Sequence, residues 1–433
     1  MITISTDAQD WRAELAALLE RKDAVREDVD TAVRLILDDV KRRGDEALFE
    51  YTRTFDGYDP ASSGIAFEAD EIGRAYREAP AEMVEALTVA ARRIEAFHEQ
   101  QKERSWFVTE DTGTVLGQKV TPVDSAGIYV PGGLNAFPST VLMNVIPAKI
   151  AGVQAITVVS PTPGGRTSQA LLAAAHIAGV ERIYRIGGAQ AVAALAYGTR
   201  SVPRTDKVVG PGNIYVAHAK RLLQGVIGID SFAGPSEILV VADDGADPRI
   251  IALDLLSQAE HDPRASSILL TPSASLAQRV RSSLHEAVES LPRRETALKA
   301  LDGHGACIVT RDLDEAIAVA NEVAPEHLEL MLADAWERLG QIRNAGAVFL
   351  GYLTPEAIGD YVAGPNHTLP TGSTARFSSP LGVYDFTKRT SVIAFSRQAL
   401  GEAGPMAVRI ARAEDLEAHA RSVLCRLDEQ DPR

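Results

Sequence analysis

The 433-residue chain is 45% hydrophobic and 24% charged, which describes a globular protein too long for one ordinary core and predicts two or more domains. Its net charge of −15, from 44 basic and 59 acidic residues, argues against a nucleic-acid partner, because phosphate backbones demand clustered Lys and Arg. No apolar run reaches a membrane span, no secretory signal is evident, and two cysteines rule out a disulfide framework or thiolate-rich zinc cluster; a cytoplasmic protein with a small-molecule partner is expected.

Residues 8–105 read mostly as helices, with apolar positions three and four apart, as at Val33, Ile36, Leu37 and Val40. Residues 81–102 read as one longer helix, whose expected role is a packing or dimerisation layer. From about 120 the pattern alternates. Strands are predicted at 126–130, 155–159, 182–186 and 206–209, and helices at 139–150, 168–178 and 189–197, with a further helix behind Gly210-Pro211-Gly212-Asn213. A second series begins near 237, with strands at 237–241, 267–270, 307–309, 327–331 and 347–350. Its helices are predicted at 250–259, 275–289, 313–322 and 333–344. Such βα repetition predicts mainly parallel sheets covered by helices, hence two doubly wound domains. After 352 a Gly-, Pro-, Thr- and Ser-rich loop is expected to about 382, then a short β-like stretch and a final helix at 414–426. That tail is too small to fold alone and is expected to lie on another surface, of its own chain or of a partner.

Four histidines in the C-terminal part each stand near a carboxylate or amide: Gln258 and Glu260 with His261, Glu326 with His327, Asp360 with His367, and Glu414 with His419. Imidazole, carboxylate and carboxamide bind divalent zinc or move protons near neutral pH, so one site assembled from several segments is expected. Gln258 and His261, three apart on a predicted helix, point to one side; they are either metal ligands or a polar helix face. Pro325 ends the preceding helix and delivers Glu326 and His327 to a strand start, as a reactive pair or a surface salt bridge. The turns Val130-Pro131-Gly132-Gly133, Ile186-Gly187-Gly188-Ala189 and Gly210-Pro211-Gly212-Asn213 let backbone approach an anion at a helix N-terminus, although none completes the dinucleotide fingerprint. The turn 231–237 joins the two predicted domains, and its Ser236 either binds a ligand or caps the turn. Cys307, in an apolar strand, reads as a buried structural thiol.

These runs, in order, resemble the histidinol dehydrogenase family. The resemblance is carried by Tyr129-Val130-Pro131-Gly132-Gly133, Gly187-Gly188-Ala189-Gln190-Ala191, Gly210-Pro211-Gly212-Asn213 and Ala233-Gly234-Pro235-Ser236-Glu237. It continues through Leu256-Ser257-Gln258-Ala259-Glu260-His261, Ala324-Pro325-Glu326-His327-Leu328-Glu329, the run Gly364-Pro365-Asn366-His367-Thr368-Leu369-Pro370-Thr371-Gly372, and Glu414-Asp415-Leu416-Glu417-Ala418-His419. The early Phe55-Asp56-Gly57 also fits.

The resemblance implies an N-terminal helical region (1–105), two incomplete Rossmann-like domains (106–236 on the NAD side, 237–375 with metal and catalytic residues) and a C-terminal tail (376–433). It implies a zinc-dependent, NAD-linked four-electron oxidation of L-histidinol through L-histidinal to L-histidine, the last step of histidine biosynthesis. Gln258, His261, Asp360 and His419 would bind one zinc per subunit, and would also contact substrate through it. His327 would be the general base, also in contact with substrate, and Glu326 would activate water. Tyr129, Gln190 and Asn213 would contact NAD, and Ser236, His367 and Glu414 would hold the substrate. The family implies a homodimer whose tail serves the neighbouring site. A related zinc and NAD dehydrogenase of another small alcohol, such as a sulfonated diol, would be expected to alter His367, Glu414 and His419, which stand intact here.

Overall fold

The structure, a computed structural model, describes residues 1–20, 27–132, 137–231 and 234–428. It divides into two compact units, one built from Met1–Gln101 with Val123–Phe386, the other from Lys102–Pro122 with Thr387–Arg433. The strands in chain order are β1 (Ile2–Ser5), β2 (Ala66–Glu68), β3 (Trp106–Thr109), β4 (Val115–Pro122), β5 (Ser125–Tyr129), β6 (Ala155–Val159), β7 (Arg182–Tyr184) and β8 (Lys207–Val209). They continue as β9 (Gly228–Ile229), β10 (Glu237–Ala242), β11 (Ser266–Thr271), β12 (Gly305–Val309), β13 (His327–Met331), β14 (Ala347–Leu350) and β15 (Thr387–Ala394).

The larger unit holds two six-stranded sheets, ordered β2-β7-β6-β5-β8-β9 and β1-β12-β11-β10-β13-β14. Apart from β2, which pairs antiparallel with β7, every neighbour in them is parallel. Counting from β5 in one and β10 in the other, both run third, second, first, fourth, fifth. This is the doubly wound order, in which the chain reverses direction beside the first strand and opens a crevice. Both faces of each sheet are covered, so the strands are nearly continuous apolar runs, as in Glu237–Ala242, all buried. Alternation along the strands sends Ile128, Val158 and Ile183 to one face of the first sheet, against Val141 and Leu171. Tyr129, Val159 and Tyr184 go to the other, against Val33, Val192 and Leu195.

The N-terminal helices are part of this packing. Val33, Leu37 and Val40 of Glu27–Arg43 join one face of the first sheet, and Leu87 and Ile94 of Ala81–Glu99 join the other. Strand β1, which the helical reading of the N-terminal region does not anticipate, extends the second sheet beside β12, and Leu15 and Leu18 of the following helix pack there. Three further expectations need correction. The helix expected at 333–344 is one α-turn, Ala335–Arg338, and a 3-10 turn, Leu339–Gln341; Trp336 is exposed and Ala335 is the one side chain of these turns fully in the core, so little burial sustains a helix. The loop expected at 352–382 contains the helix Glu356–Tyr361. The tail carries two helices, Arg397–Ala413 and Glu417–Asp428, broken at Asp415, whose φ is +58°.

In the smaller unit β15, β4 and β3 form an antiparallel sheet. Trp106, Phe107 and Val108 on its edge strand β3 are exposed. Among the described residues no helix is long and apolar enough to cross a membrane.

Candidate active site

The carboxyl ends of β5 and β8 border the reversal point of the first sheet. Gly210, with φ +110°, brings its backbone so close to β5 that a Cβ there would lie 2.1 Å from the Tyr129 carbonyl oxygen. A buried pair fixes this turn: Asp230 Oδ2 accepts from Gly210 N at 2.8 Å, and Lys220 Nζ donates to Gly210 O at 2.9 Å while pairing with Asp230. Asn213 caps the helix Ile214–Leu223, accepting from Tyr215 N at 3.0 Å and Val216 N at 3.2 Å. The Tyr129 hydroxyl accepts from Gly188 N at 3.0 Å, at the start of the helix Gly188–Tyr197; Gln190 lies in that first turn, buried, with Oε1 unpartnered. Tyr129, Gln190 and Asn213 therefore gather at one sheet edge with two helix N-termini, a setting suited to a dinucleotide. Gly133, in the turn after Tyr129, lies outside the described residues.

The second sheet presents chemistry at its opposite, amino-terminal edge. Register pairs His327 with Ile238, so Glu237, Glu326 and His327 lie together where β10 and β13 begin. All three are buried. His327 Nδ1 donates to the Glu237 carbonyl at 2.8 Å, which fixes the ring and turns Nε2 away from the sheet. Glu326 Oε2 accepts from Glu237 N at 2.8 Å and lies 3.7 Å from His327 Nδ1.

The helix Glu356–Tyr361 brings Glu356 and Asp360, four apart and hence on one face, to the other side of the ring. His327 Nε2 lies 3.7 Å from Glu356 Oε1 and 3.7 Å from Asp360 Oδ1. Burial alone would lower His327, but Glu326, Asp360 and Glu356 outweigh it and lift the imidazole to about 10. Burial raises Glu326 to about 8 and Glu356 to about 7, whereas His327 and His367 overcome burial and hold Asp360 down to about 2.

His367 is placed by a loop: its Nδ1 bonds the Asp360 carbonyl oxygen at 3.0 Å and its Nε2 lies 3.3 Å from Thr140 Oγ1, on a helix of the first sheet. Gln258 is buried in the last turn of the helix Pro248–Ala259. Its Nε2 makes no well-formed hydrogen bond, yet the amide lies against Glu356 and lowers that acid. His261 falls beyond the end of this helix, in the turn closed by His261 N to Gln258 O at 3.0 Å, so the two do not share a helix as predicted. Burial lowers His261, and Asp360 is near enough to oppose the shift. Ser236 enters the same edge, one residue before β10; Phe232 and Ala233 of its turn lie outside the described residues. Glu414 and His419 belong to the smaller unit, at the break between its two helices.

The cluster thus joins Glu326, His327 and Asp360 with Gln258, His261 and His367 alongside. It adds Glu356 and Glu237, which sequence reasoning did not single out. His327, Glu356 and Asp360 each offer a ligand atom within 4.8 Å of the others. His327 Nε2 and Glu356 Oε1 are buried without hydrogen-bond partners, and the Gln258 carboxamide can present its oxygen by a half-turn. A buried N/O donor set with unpaired electron pairs and excess negative charge fits a divalent cation.

Behind the site, Glu329 of β13 approaches Asp254, on the helix Pro248–Ala259 about two turns before His261. Burial, then Asp254, raise Glu329 to about 9; burial raises Asp254 to about 6. Glu329 Oε2 and Asp254 Oδ2 have no other partner, and burial holds both carboxyls toward their protonated form, Glu329 the more strongly. Both groups are raised above their unfolded values, so their contribution to stability is complete at low pH and is lost as pH rises through about 6 and then 9. Glu329→Gln replaces the protonated acid by a neutral isostere. It should flatten the fall of Tm between about pH 5 and 9, on the order of 5 °C, because Glu329 is protonated only in the folded state across that window; thermal melts with an undiminished slope across it would show that Glu329 is not held protonated.

Two doubly wound sheets with a buried imidazole–carboxylate cluster at one edge define an α/β enzyme of dinucleotide-binding architecture. The sequence profile of the family described as histidinol dehydrogenase matches residues 19–427. The chain is 52% identical over 427 residues to the histidinol dehydrogenase of Syntrophotalea carbinolica, covering 99% of each, and 51% identical over 426 residues to that of Dechloromonas aromatica, covering 98% of each. The crystal structure of the histidinol dehydrogenase from Elizabethkingia anophelis is similar with a TM-score of 0.93 at 36% identity, over 99% of this chain and 98% of that one. The chain belongs to the histidinol dehydrogenase family and is an oxidoreductase.

Proposed function

We propose that the chain oxidises L-histidinol through L-histidinal to L-histidine with NAD as electron acceptor, the last step of histidine biosynthesis in a cytoplasmic setting. The observation that carries this reading is His327, held by the Glu237 carbonyl with Nε2 open toward Asp360 and Glu356, and Glu326 against its other side. In this reading Gln258, His261 and Asp360, with His419 of a second copy, would hold one zinc per subunit, which would position the substrate's imidazole and amine. Tyr129, Gln190 and Asn213 would hold NAD at the edge where they gather, and two NAD molecules bound there in turn would each take one hydride.

The protein's own groups then have distinct tasks. His327 removes the alcohol proton through Nε2, and it is free to do so once positive charge at Asp360 offsets the carboxylates that otherwise keep the ring protonated. Glu326 takes a proton from water attacking the aldehyde, giving the hydrate from which the second hydride leaves. Ser236, His367 and Glu414 orient the substrate, and the buried position of Glu326 and His327 limits bulk water while the aldehyde waits. The two sheets would be the cores of two Rossmann-like domains, expected at 106–236 and 237–375; β1 and β2 from the 1–105 region add an edge strand to each sheet, and 102–122 groups with the tail expected at 376–433.

The test is direct: the purified protein with zinc should reduce two NAD per L-histidinol, and absence of turnover would refute the assignment in favour of another alcohol substrate. We further propose a homodimer in which Glu414 and His419 serve the partner's site. The exposed Trp106, Phe107, Val108, Ile393 and Ile410 of the smaller unit support association. Mixing inactive His327→Asn chains with inactive His419→Ala chains should restore up to about a quarter of the activity if sites are shared, since random pairing leaves one intact site in half the dimers. Heterodimers that form without activity would rule out the crossing tail.

A further inference from the structure

A complete dinucleotide fold places an acid at the end of its second strand, where it accepts hydrogen bonds from a ribose. The corresponding strand here, β6, ends at Val159 and is followed by Ser160-Pro161-Thr162, with no acid. A carboxylate reaches this edge from elsewhere. The helix Asp45–Asp56 runs antiparallel to Gly188–Tyr197: at one end Asp45 Oδ2 accepts from Ser201 Oγ at 2.7 Å, beyond the close of the second helix. At the other end Asp56 comes close enough to the Tyr129 phenol to oppose its ionisation, and Tyr129 in turn bonds Gly188 N. Tyr58, two residues on, lies under Gly165, whose Cβ would meet the ring at 3.1 Å, so this segment abuts the chain just beyond Ser160.

Four polar atoms at this edge are buried without partners: Asp56 Oδ2, Ser160 Oγ, Thr162 Oγ1 and Gln190 Oε1. Ser160 and Gln190 are each 1% exposed. Gln190 Oε1 lies over Gly188, where a Cβ would stand 2.6 Å away, and Ser160 Oγ crowds Gly132, where a Cβ would stand 2.5 Å away. Only glycine fits at either position, so the backbone packs directly against these two side chains and holds them at this edge. Burial raises Asp56 to about 6, as expected of a carboxyl that lacks a donor. Unpartnered buried acceptors of this kind are rare and want a donor. A ribose diol supplies two hydroxyl donors, whereas a 2′-phosphate supplies only acceptors and negative charge.

We propose that Asp56 is a cofactor-binding residue that accepts hydrogen bonds from a ribose diol of the dinucleotide and thereby selects NAD over NADP. It stands in for the acid missing after β6, delivered from an N-terminal helix. The inference rests on the dehydrogenase reading of this edge, but its test needs no turnover.

The experiment is titration calorimetry of NAD and of NADP into the full-length, zinc-loaded protein without histidinol. Wild-type protein should bind NAD at least about tenfold more tightly than NADP, and Asp56→Asn should weaken NAD by about tenfold, the scale of a lost hydrogen bond to a charged group, while NADP is unchanged or tightened. Equal wild-type affinities, or an Asp56→Asn protein that binds NAD within twofold of wild type or weakens both dinucleotides alike, would overturn the proposal. Should Asp56→Asn fail to fold, Asp56→Ser is titrated in its place and read by the same criteria, with NAD binding within twofold of wild type again overturning the proposal. Preserved NAD selectivity without histidinol turnover would refute the substrate assignment and leave Asp56's role standing.

Discussion

Replacing His327 by Asn should lower kcat for histidinol oxidation about 10³-fold, within the range for loss of a general base, while leaving zinc content unchanged. The metal measurement matters because the geometry admits two roles. His327 Nε2 lies 3.7 Å from both Glu356 Oε1 and Asp360 Oδ1, close enough to complete a ligand set with them. A base needs an imidazole that can lose and regain its Nε2 proton; a ligand needs that nitrogen permanently occupied. Asn can still donate toward the Glu237 carbonyl, which His327 Nδ1 bonds at 2.8 Å, so local packing is largely kept. Retained zinc with a large kcat loss identifies a base. Lost zinc, measured by elemental analysis of the dialysed protein, identifies a ligand and sinks the proposed division of labour. His261→Ala supplies the contrast, with zinc expected to fall and activity with it.

The sequence makes the frame of this site legible because parallel strands buried on both faces are continuous apolar runs, and Gly and Pro punctuate their ends. The strands 155–159, 327–331 and 347–350 carry the predicted bounds unchanged. The pairing of Glu326 with His327 is equally local, since Pro325 and the strand start fix both. What escapes is anything decided by contact across the chain. Glu356 has no histidine neighbour and sits in a stretch rich in turn residues, so its helix of six residues leaves little periodicity to detect. Its spacing of four from Asp360 was the available signal. Glu329 and Asp254 read as one strand residue and one helix residue; only packing reveals that they face each other, buried, with both carboxyls raised. The helix Arg397–Ala413 is masked by Gly401, Gly404 and Pro405, residues that ordinarily break helices. Gly404 is tolerated because it faces Val423, with only 3.0 Å between that side chain and an added Cβ.

Glu326→Gln should separate the two oxidations that the proposed reaction combines. Glu326 Oε2 accepts from Glu237 N at 2.8 Å, and a Gln carbonyl oxygen can keep that bond, so the substitution removes the acid with little change of shape. Alcohol oxidation requires a base at His327 and no water; aldehyde oxidation requires water to add to the carbonyl and a group to take its proton. The variant should therefore release one NADH per bound histidinol in a single turnover, where the wild type gives two. Oxidation of supplied histidinal should fall about 10²–10⁴-fold, while its reduction by NADH to histidinol persists. Burial raises Glu326 to about 8, so in the wild type its ionised fraction grows across the neutral range, and the aldehyde step should quicken as pH rises toward that value. In Glu326→Gln this pH dependence should disappear from the residual rate. Histidinal oxidation within tenfold of wild type, alongside a collapsed alcohol step, would reverse the roles: Glu326 would then serve the first oxidation, and water would have to be activated from the Glu356 and Asp360 side of the ring.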